Sequence, residues 1–250
     1  MVLEEYNLKF RDYIREGVKK YNGLFPDPFL PPVLISFPKV FINSKLEKRT
    51  KSFFNGKIKI HEGSPEYKVI LKILSKIKRE GKNKISLLDI GCGDCGLADY
   101  LNSFDIDIEY EGVDISQIDT KFKIYNNLSE IKKRYDVIIM AHVAEHMHYE
   151  DYLNNFQYKI KKLLDDKGVF ILATPNPICL KSQFCDITHI QIYPWHNAYA
   201  ILRINFREID VIRGVHLTKL LDIAFYPLKV FLSKLIGIDY AGSLIYICKP

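Results

Sequence analysis

The stretch Leu87-Leu-Asp-Ile-Gly-Cys-Gly-Asp-Cys-Gly96 constrains this chain more than any other. A hydrophobic run, Ile85–Ile90, leads into Gly91, Gly93 and Gly96 and then into Leu97-Ala-Asp-Tyr-Leu101, which reads as a helix start. Glycines at that spacing let a strand turn sharply into a helix. They also let a ligand approach the backbone where a Cβ would collide. Twenty-one residues after Gly93 comes Asp114, closing a second strand-like run, Tyr110-Glu-Gly-Val-Asp114. A carboxylate in that place can accept both hydroxyls of a ribose. Strand, glycine triplet, helix, strand and terminal acid, in that order, point to an open α/β sheet that binds a nucleoside-containing ligand.

The same alternation extends along the chain. Ser64-Pro65 is a helix start, because Ser can cap and Pro is tolerated at the first helical position. Ile70, Ile73, Leu74 and Ile77 then recur at helical spacing, and Gly81 is a natural stop. Strand-like runs follow at Ile106–Val113, Phe122–Tyr125, Asp136–Ala141, Val169–Thr174, Phe206–Arg213 and Ser243–Cys248. Residues 149–164 carry a helical face of Tyr149, Leu153, Phe156, Ile160 and Leu164, closed by Gly168. The pattern predicts an α/β, Rossmann-like, seven-stranded, mostly parallel sheet with helices on both faces and an antiparallel last strand. Only 21 residues separate Asp114 from Asp136, so the helix expected there is very short or absent.

The first sixty residues differ. Residues 3–21 predict an amphipathic helix with Tyr6, Phe10, Tyr13, Ile14 and Val18 on one face. Five of the eleven prolines then fall within residues 26–38, which reads as an extended arm without a regular ladder. The expected division is an N-terminal extension over 1–60 and one domain over 61–250, with an insertion at 217–236.

Hydrophobic residues make up 48% of the chain and charged residues 26%, which excludes global disorder. The net charge of +6 is spread out, with Lys72, Lys76, Lys78, Lys82 and Lys84 alternating with other residue types, so nucleic acid is a disfavoured partner. Five irregularly spaced cysteines and the lack of a signal-peptide pattern suggest a reducing, cytoplasmic location. The longest apolar stretch, Leu217–Ile236, is interrupted by Lys219, Asp222, Pro227, Lys229 and Lys234 and does not span a bilayer. It is expected to pack on protein or another subunit, or else to touch a membrane surface peripherally.

The ligand can be narrowed by charge. Gly91 to Gly96 satisfies a dinucleotide fingerprint literally, but Asp89 stands two residues before the first glycine. An acid there would repel a pyrophosphate and suits an ammonium group. S-adenosylmethionine carries that ammonium, a sulfonium and no phosphate. Leu87–Gly96, Gly112-Val-Asp-Ile-Ser116, Tyr135–His146 and Lys167–Pro175 together resemble the class I S-adenosylmethionine-dependent methyltransferases. The likeness covers roughly 61–250, and the Glu145-His146 pair is similar to the ubiquinone-type O-methyltransferases. The resemblance implies that Asp89, Gly91, Cys92 and Gly93 hold the amino-acid part of the cofactor and Asp114 its ribose. It also implies that Ile115, Asn127 and Leu128 flank the adenine, with Ala141 beside them at the end of the next strand.

A hydroxyl acceptor must lose a proton, so a base or a Lewis-acid metal belongs near the transferred methyl group. His142, His146 and His148, with Glu145, follow the strand ending at Ala141, on the sheet edge where open α/β folds bind ligands. His142, Glu145 and His146 are the catalytic candidates, and His148 reads as a solvent-facing residue. Some relatives bind a divalent metal through Glu-x-x-Glu-His and a later His. Here the first position is His142, and a metal set of Glu145, His146 and His189 is the less favoured expectation. Cys92-x-x-Cys95 reads as packing, and Trp195 as either a pocket wall or core. The expected activity is O-methylation of a small-molecule, sugar (glycan) or lipid-linked hydroxyl with a His base. RNA methylation, or an inactive cofactor-binding partner subunit, are the alternatives.

Overall fold

The computed structural model describes residues 2–21, 33–36, 64–116, 119–148, 151–152, 156–179, 186, 188–216, 225, 228, 231 and 241–250. Helix α1 is Val2–Tyr21 and strand β1 is Val33–Ser36. The alternating part runs α2 (Pro65–Arg79), β2 (Lys84–Ile90), α3 (Gly96–Leu101), β3 (Asp107–Val113), β4 (Lys123–Tyr125) and β5 (Tyr135–Ala141). It continues with α4 (Gln157–Leu163), β6 (Leu164–Pro175), α5 (Trp195–Arg203), β7 (Glu208–His216) and β8 (Ser243–Lys249).

These strands form one sheet in the order β1-β7-β8-β6-β5-β2-β3-β4. Pairing is parallel except at β8, which lies antiparallel between β6 and β7. The seven expected strands and the reversed last strand are therefore present. An eighth comes from the proline-rich arm, where Val33–Ser36 pairs in parallel with Arg213–His216. The arm thus contains a ladder that its proline content had argued against. The four residues of the strand contain no proline, so every amide is available to pair.

The sheet order reverses between β3 and β5, on either side of β2. Strands leaving such a switch point diverge at their carboxyl ends and open a crevice there. Side chains alternate along each strand to supply a core on both faces. Ile85, Leu87, Val137 and Ile139 pack with Val69, Ile70 and Leu74 of α2 and Leu97, Ala98 and Leu101 of α3. Leu88, Ile90, Ile138 and Met140 pack on the other face with Ile160 of α4 and Ala198, Tyr199, Ile201 and Leu202 of α5.

Local signals explain the boundaries. The Ser64 hydroxyl accepts from the Tyr67 amide at 3.2 Å, and Gly81 at φ +98° follows the end of α2. Between β3 and β5 the described residues form only β4 and a 3-10 turn at Leu128–Glu130, in line with the short spacing. Gly168 does not end a helix. The helix stops at Leu163 and Gly168 lies within β6, where a Cβ would come within 2.8 Å of the Leu164 side chain.

Helix α1 lies against α5. Glu16 accepts from the Tyr199 hydroxyl at 3.1 Å and from Arg203 Nε at 2.9 Å, and Lys20 pairs with Asp210 at 2.8 Å. Gly17 permits the approach, since a Cβ there would stand 2.7 Å from the Tyr199 ring. The 217–236 insertion lies outside the described residues apart from Phe225, Leu228 and Phe231, which are exposed. No helix among the described residues is long and apolar enough to cross a membrane.

Candidate active site

The glycine loop is folded onto the end of β3. The amides of Gly91 and Cys92 donate to the Val113 carbonyl at 2.7 and 3.3 Å. The Asp114 carboxylate then accepts from the Gly93 amide at 2.9 Å and the Ser116 amide at 2.8 Å. Gly91 and Gly93 sit at φ +73° and +49°, a left-handed region that a side chain resists. A Cβ on Gly91 would lie 2.2 Å from Val143 Cγ2, whereas one on Gly93 would project into open space.

Above this loop is a cavity of about 420 Å³ lined by Ile90, Gly91, Val113, Asp114, Ile115, Asn126, Asn127, Leu128, Val143, His146, Met147, Phe156 and Lys159. Ile115 is 95% exposed on its rim, an apolar side chain with nothing covering it among the described residues. Asn127 is held by its own turn, accepting from the amide and the hydroxyl of Ser129 at 3.0 and 2.7 Å. Asp89 does not line the cavity. It is buried beneath the loop, where the Tyr110 hydroxyl donates to it at 2.7 Å. Burial lifts its carboxyl to about 7 against the pull of that hydrogen bond, with the Asp114 charge adding to the rise. A carboxylate so destabilised gains most from a bound cation. Cys92 and Cys95 are both buried, and Cys92 Sγ occupies the space beside Gly112, as packing requires.

At the carboxyl end of β5 the chain makes a strained turn. His142 is left-handed, at φ +57°, with its amide donating to the Ala173 carbonyl at 2.9 Å. The turn places its Nδ1 3.3 Å from Glu145 Oε1 and its Nε2 3.7 Å from Glu66 Oε1. Both carboxylates are buried. Crowding by protein works against charge on the ring, about half of which is open to solvent, but hydrogen bonding to Glu145 and Glu66 and their charges raise His142 to about 10. For Glu66, burial is likewise outweighed by His142, with help from Ser243, and its pKa falls to about 2. His142 is thus an imidazolium clamped between two acids at neutral pH.

His146 is placed differently. It sits in the 3-10 turn Ala144–His146, lines the cavity, and meets Thr188 through Nδ1. The loop carrying Thr188 and His189 is pinned because the Ile190 and Gln191 amides donate to the Glu145 carbonyl at 2.9 and 3.0 Å. One ligand atom from each of Glu145, His146 and His189 then falls within 4.8 Å of the others. Glu145 Oε2 and His189 Nδ1 are buried with no hydrogen-bond partner among the described residues.

Comparison with known proteins decides the family. A family model described as a methyltransferase domain matches residues 64–222. The chain belongs to the methyltransferase-domain family. Its sheet is the Rossmann-like methyltransferase fold that the sequence resemblance implied. A solved S-adenosylmethionine-dependent methyltransferase from Archaeoglobus fulgidus is 18% identical and aligns over 82% of this chain and 99% of its own, with a TM-score of 0.56. The small RNA methyltransferase HEN1 is 17% identical with a TM-score of 0.52, over 74% of this chain and 25% of that one. At such identities the likeness is one of fold. No curated protein matches the chain.

In this methyltransferase, the cavity brings together Gly91, Asp114, Ile115, Asn127, Leu128 and His146 from the expected set. Asp89, Cys92, Gly93, Ala141, His142, Glu145 and His189 stand outside its lining. His148 is exposed, and Trp195 is buried in the core rather than lining this cavity. Sequence reasoning missed Glu66, which reads as an ordinary acid in the first turn of a helix. It also missed Val143, Met147, Phe156 and Lys159, whose apolar or cationic character carried no positional signal.

Proposed function

We propose that this methyltransferase moves a methyl group to a hydroxyl oxygen of a small molecule, sugar or lipid-linked acceptor, with His146 as general base. The observation supporting this reading is that His146 lines the same cavity as Gly91, Asp114, Asn127 and Leu128, whereas His142 is clamped as a cation between Glu66 and Glu145. A base must be free of its proton at working pH, so the clamped ring is the poorer choice. The pair Glu145-His146, in the turn after the fourth strand of the domain, also supports a ubiquinone-type branch of the family.

S-adenosylmethionine, when bound, supplies a methyl group already activated on sulfur. The chain would offer it Asp114 for its ribose, the open space over Gly93, the bare Ile115 side chain for its base and, from beneath the loop, the charge of Asp89 for its ammonium. His146 takes the acceptor's proton and the O–H electron pair remains on oxygen. With the cofactor bound, that oxygen would take the methyl carbon, and the bonding pair would stay on the sulfur. Holding the partners in line supplies on the order of 7 kcal/mol or more. RNA is not favoured as acceptor, because Lys159 is the one Lys or Arg among the described lining residues.

A second reading is supported by the partnerless Glu145 Oε2 and His189 Nδ1. With His146 they form a donor set that would hold a divalent ion, and two imidazoles with one carboxylate suit Zn, Mn or Fe better than Mg. Such an ion supplies Lewis-acid polarisation of an acceptor oxygen. The chain's own part is to present Glu145, fixed by His142, and His189, fixed by the loop docked on Glu145.

The test is His146→Ala, assayed with labelled methyl donor on a metabolite extract that also reports the size class of the acceptor. Loss of transfer with unchanged affinity for S-adenosylhomocysteine supports the base, and full activity overturns it. Elemental analysis of chelator-treated protein, before and after adding Zn or Mn, separates the second reading.

A further inference from the structure

We propose that Thr188, itself held by Asp186, is a positioning residue that fixes His146 with its proton on Nδ1 and its lone pair on Nε2. This deepens the reading of His146 as the base and rests on it for its catalytic meaning.

The argument is one of donors and acceptors. His146 Nδ1 lies 3.0 Å from Thr188 Oγ1 and 3.1 Å from the Thr188 carbonyl oxygen. A carbonyl oxygen only accepts. A hydroxyl has one proton, and here that proton goes to Asp186 Oδ1 at 2.7 Å, because an ionised carboxylate can only accept. Both Thr188 oxygens therefore meet the imidazole as acceptors, and Nδ1 must be the donor. In a neutral ring the other nitrogen then carries the lone pair.

The assembly is held from several sides. The Thr188 amide also donates to Asp186 Oδ1 at 2.9 Å, which closes a small turn and fixes the hydroxyl's direction. The His146 amide donates to the Val143 carbonyl at 3.0 Å, and the ring packs edge-on against His189 at 5.1 Å between centroids. Asp186, Thr188 and His146 form a chain in which a carboxylate orients a hydroxyl and the hydroxyl orients the base. When Nε2 accepts a proton from the acceptor hydroxyl, the proton on Nδ1 stays in place, and the new positive charge faces the Thr188 dipole and the Asp186 charge.

The test reads the tautomer without needing an acceptor. Full-length protein labelled with ring-15N histidine is examined by two-bond nitrogen–proton NMR, in chelator, at about pH 8, where an ordinary histidine ring is neutral. His146→Gln assigns the signal. The expected result is a protonated Nδ1 and an unprotonated Nε2 for His146, with a partial shift toward a tautomer mixture in Asp186→Ala and in Thr188→Val, where the Thr188 carbonyl is the acceptor left to Nδ1, and recovery in Thr188→Ser. A wild-type ring protonated on Nε2, or a signal unchanged in Thr188→Val, overturns the proposal. In turnover, Thr188→Val is expected to lower kcat about tenfold or more with the KM for methyl donor unchanged, and Thr188→Ser to recover it. Full activity in His146→Ala defeats the base assignment while leaving the tautomer result to be judged on its own spectrum.

Discussion

Replacing Gly91 by Ala tests the packing that joins the glycine loop to the Ala144–His146 turn. Two penalties add. The left-handed backbone at φ +73° resists a Cβ by about 1–2 kcal/mol. The new methyl would lie 2.2 Å from Val143 Cγ2, and relieving such an overlap in a packed site costs about 1–3 kcal/mol. Together they amount to about 2–5 kcal/mol, or a fall in Tm of roughly 4–20 °C for a chain of this size. Val143 is β-branched and stiff, and the turn carrying Glu145 and His146 follows it directly, so relief must come from moving the turn. Affinity for S-adenosylhomocysteine, measured by calorimetry, is expected to fall at least about tenfold. The companion variant Val143→Ala removes the clash but not the backbone strain, so the double variant should recover about 1–3 kcal/mol and leave the rest. A Gly91→Ala protein that melts with the wild type and binds as tightly, or a cycle without coupling, would refute the reasoning.

The Glu66–His142 pair gives stability a pH signature. Glu66 is lowered from 4.5 to about 2, so its contribution is present above about 4.5 and lost as pH falls toward 2. His142 is raised from 6.5 to about 10, so its contribution is complete below 6.5 and lost as pH rises through 10. Half the imidazole is open to solvent, which limits the interaction to about 1 kcal/mol, and Glu66→Gln should flatten both limbs of a denaturation profile by that amount. Asp89→Asn should have opposite effects on stability and binding. Because the Asp89 carboxyl is raised to about 7, the free protein loses stability as pH climbs from 3.8 to 7; the amide should regain about 1–3 kcal/mol at pH 8 while weakening cofactor binding in a titration. Gly17→Leu should separate α1 from the Tyr199 ring, seen as faster proteolysis of the N-terminal helix with little change in cofactor affinity.

Much of the domain was legible in the sequence because each device is local. The Ser64-Pro65 start and the Gly91 turn are set by their own residues, and both are present in the structure. Contacts that close across the chain were not legible. Glu66 meets His142 only because α2 begins at the sheet edge where β5 ends, and no spacing announces that. The role of His142 changed for the same reason. As a residue type it reads as a base, but neighbouring Glu145 together with Glu66 from far along the chain favours its charged form. The strand at Val33–Ser36 was hidden by the prolines around it, since its pairing partner lies 180 residues away.

That strand has a consequence for anyone trimming the protein. The family match begins at residue 64 and leaves β1 behind. A fragment cut there would strip the outer cover from Arg213–His216 and present their bare amides and carbonyls to the nearest copy of itself. Insolubility of such a fragment would then reflect the missing β1, together with the loss of α1 from α5, rather than any defect in the rest of the sheet.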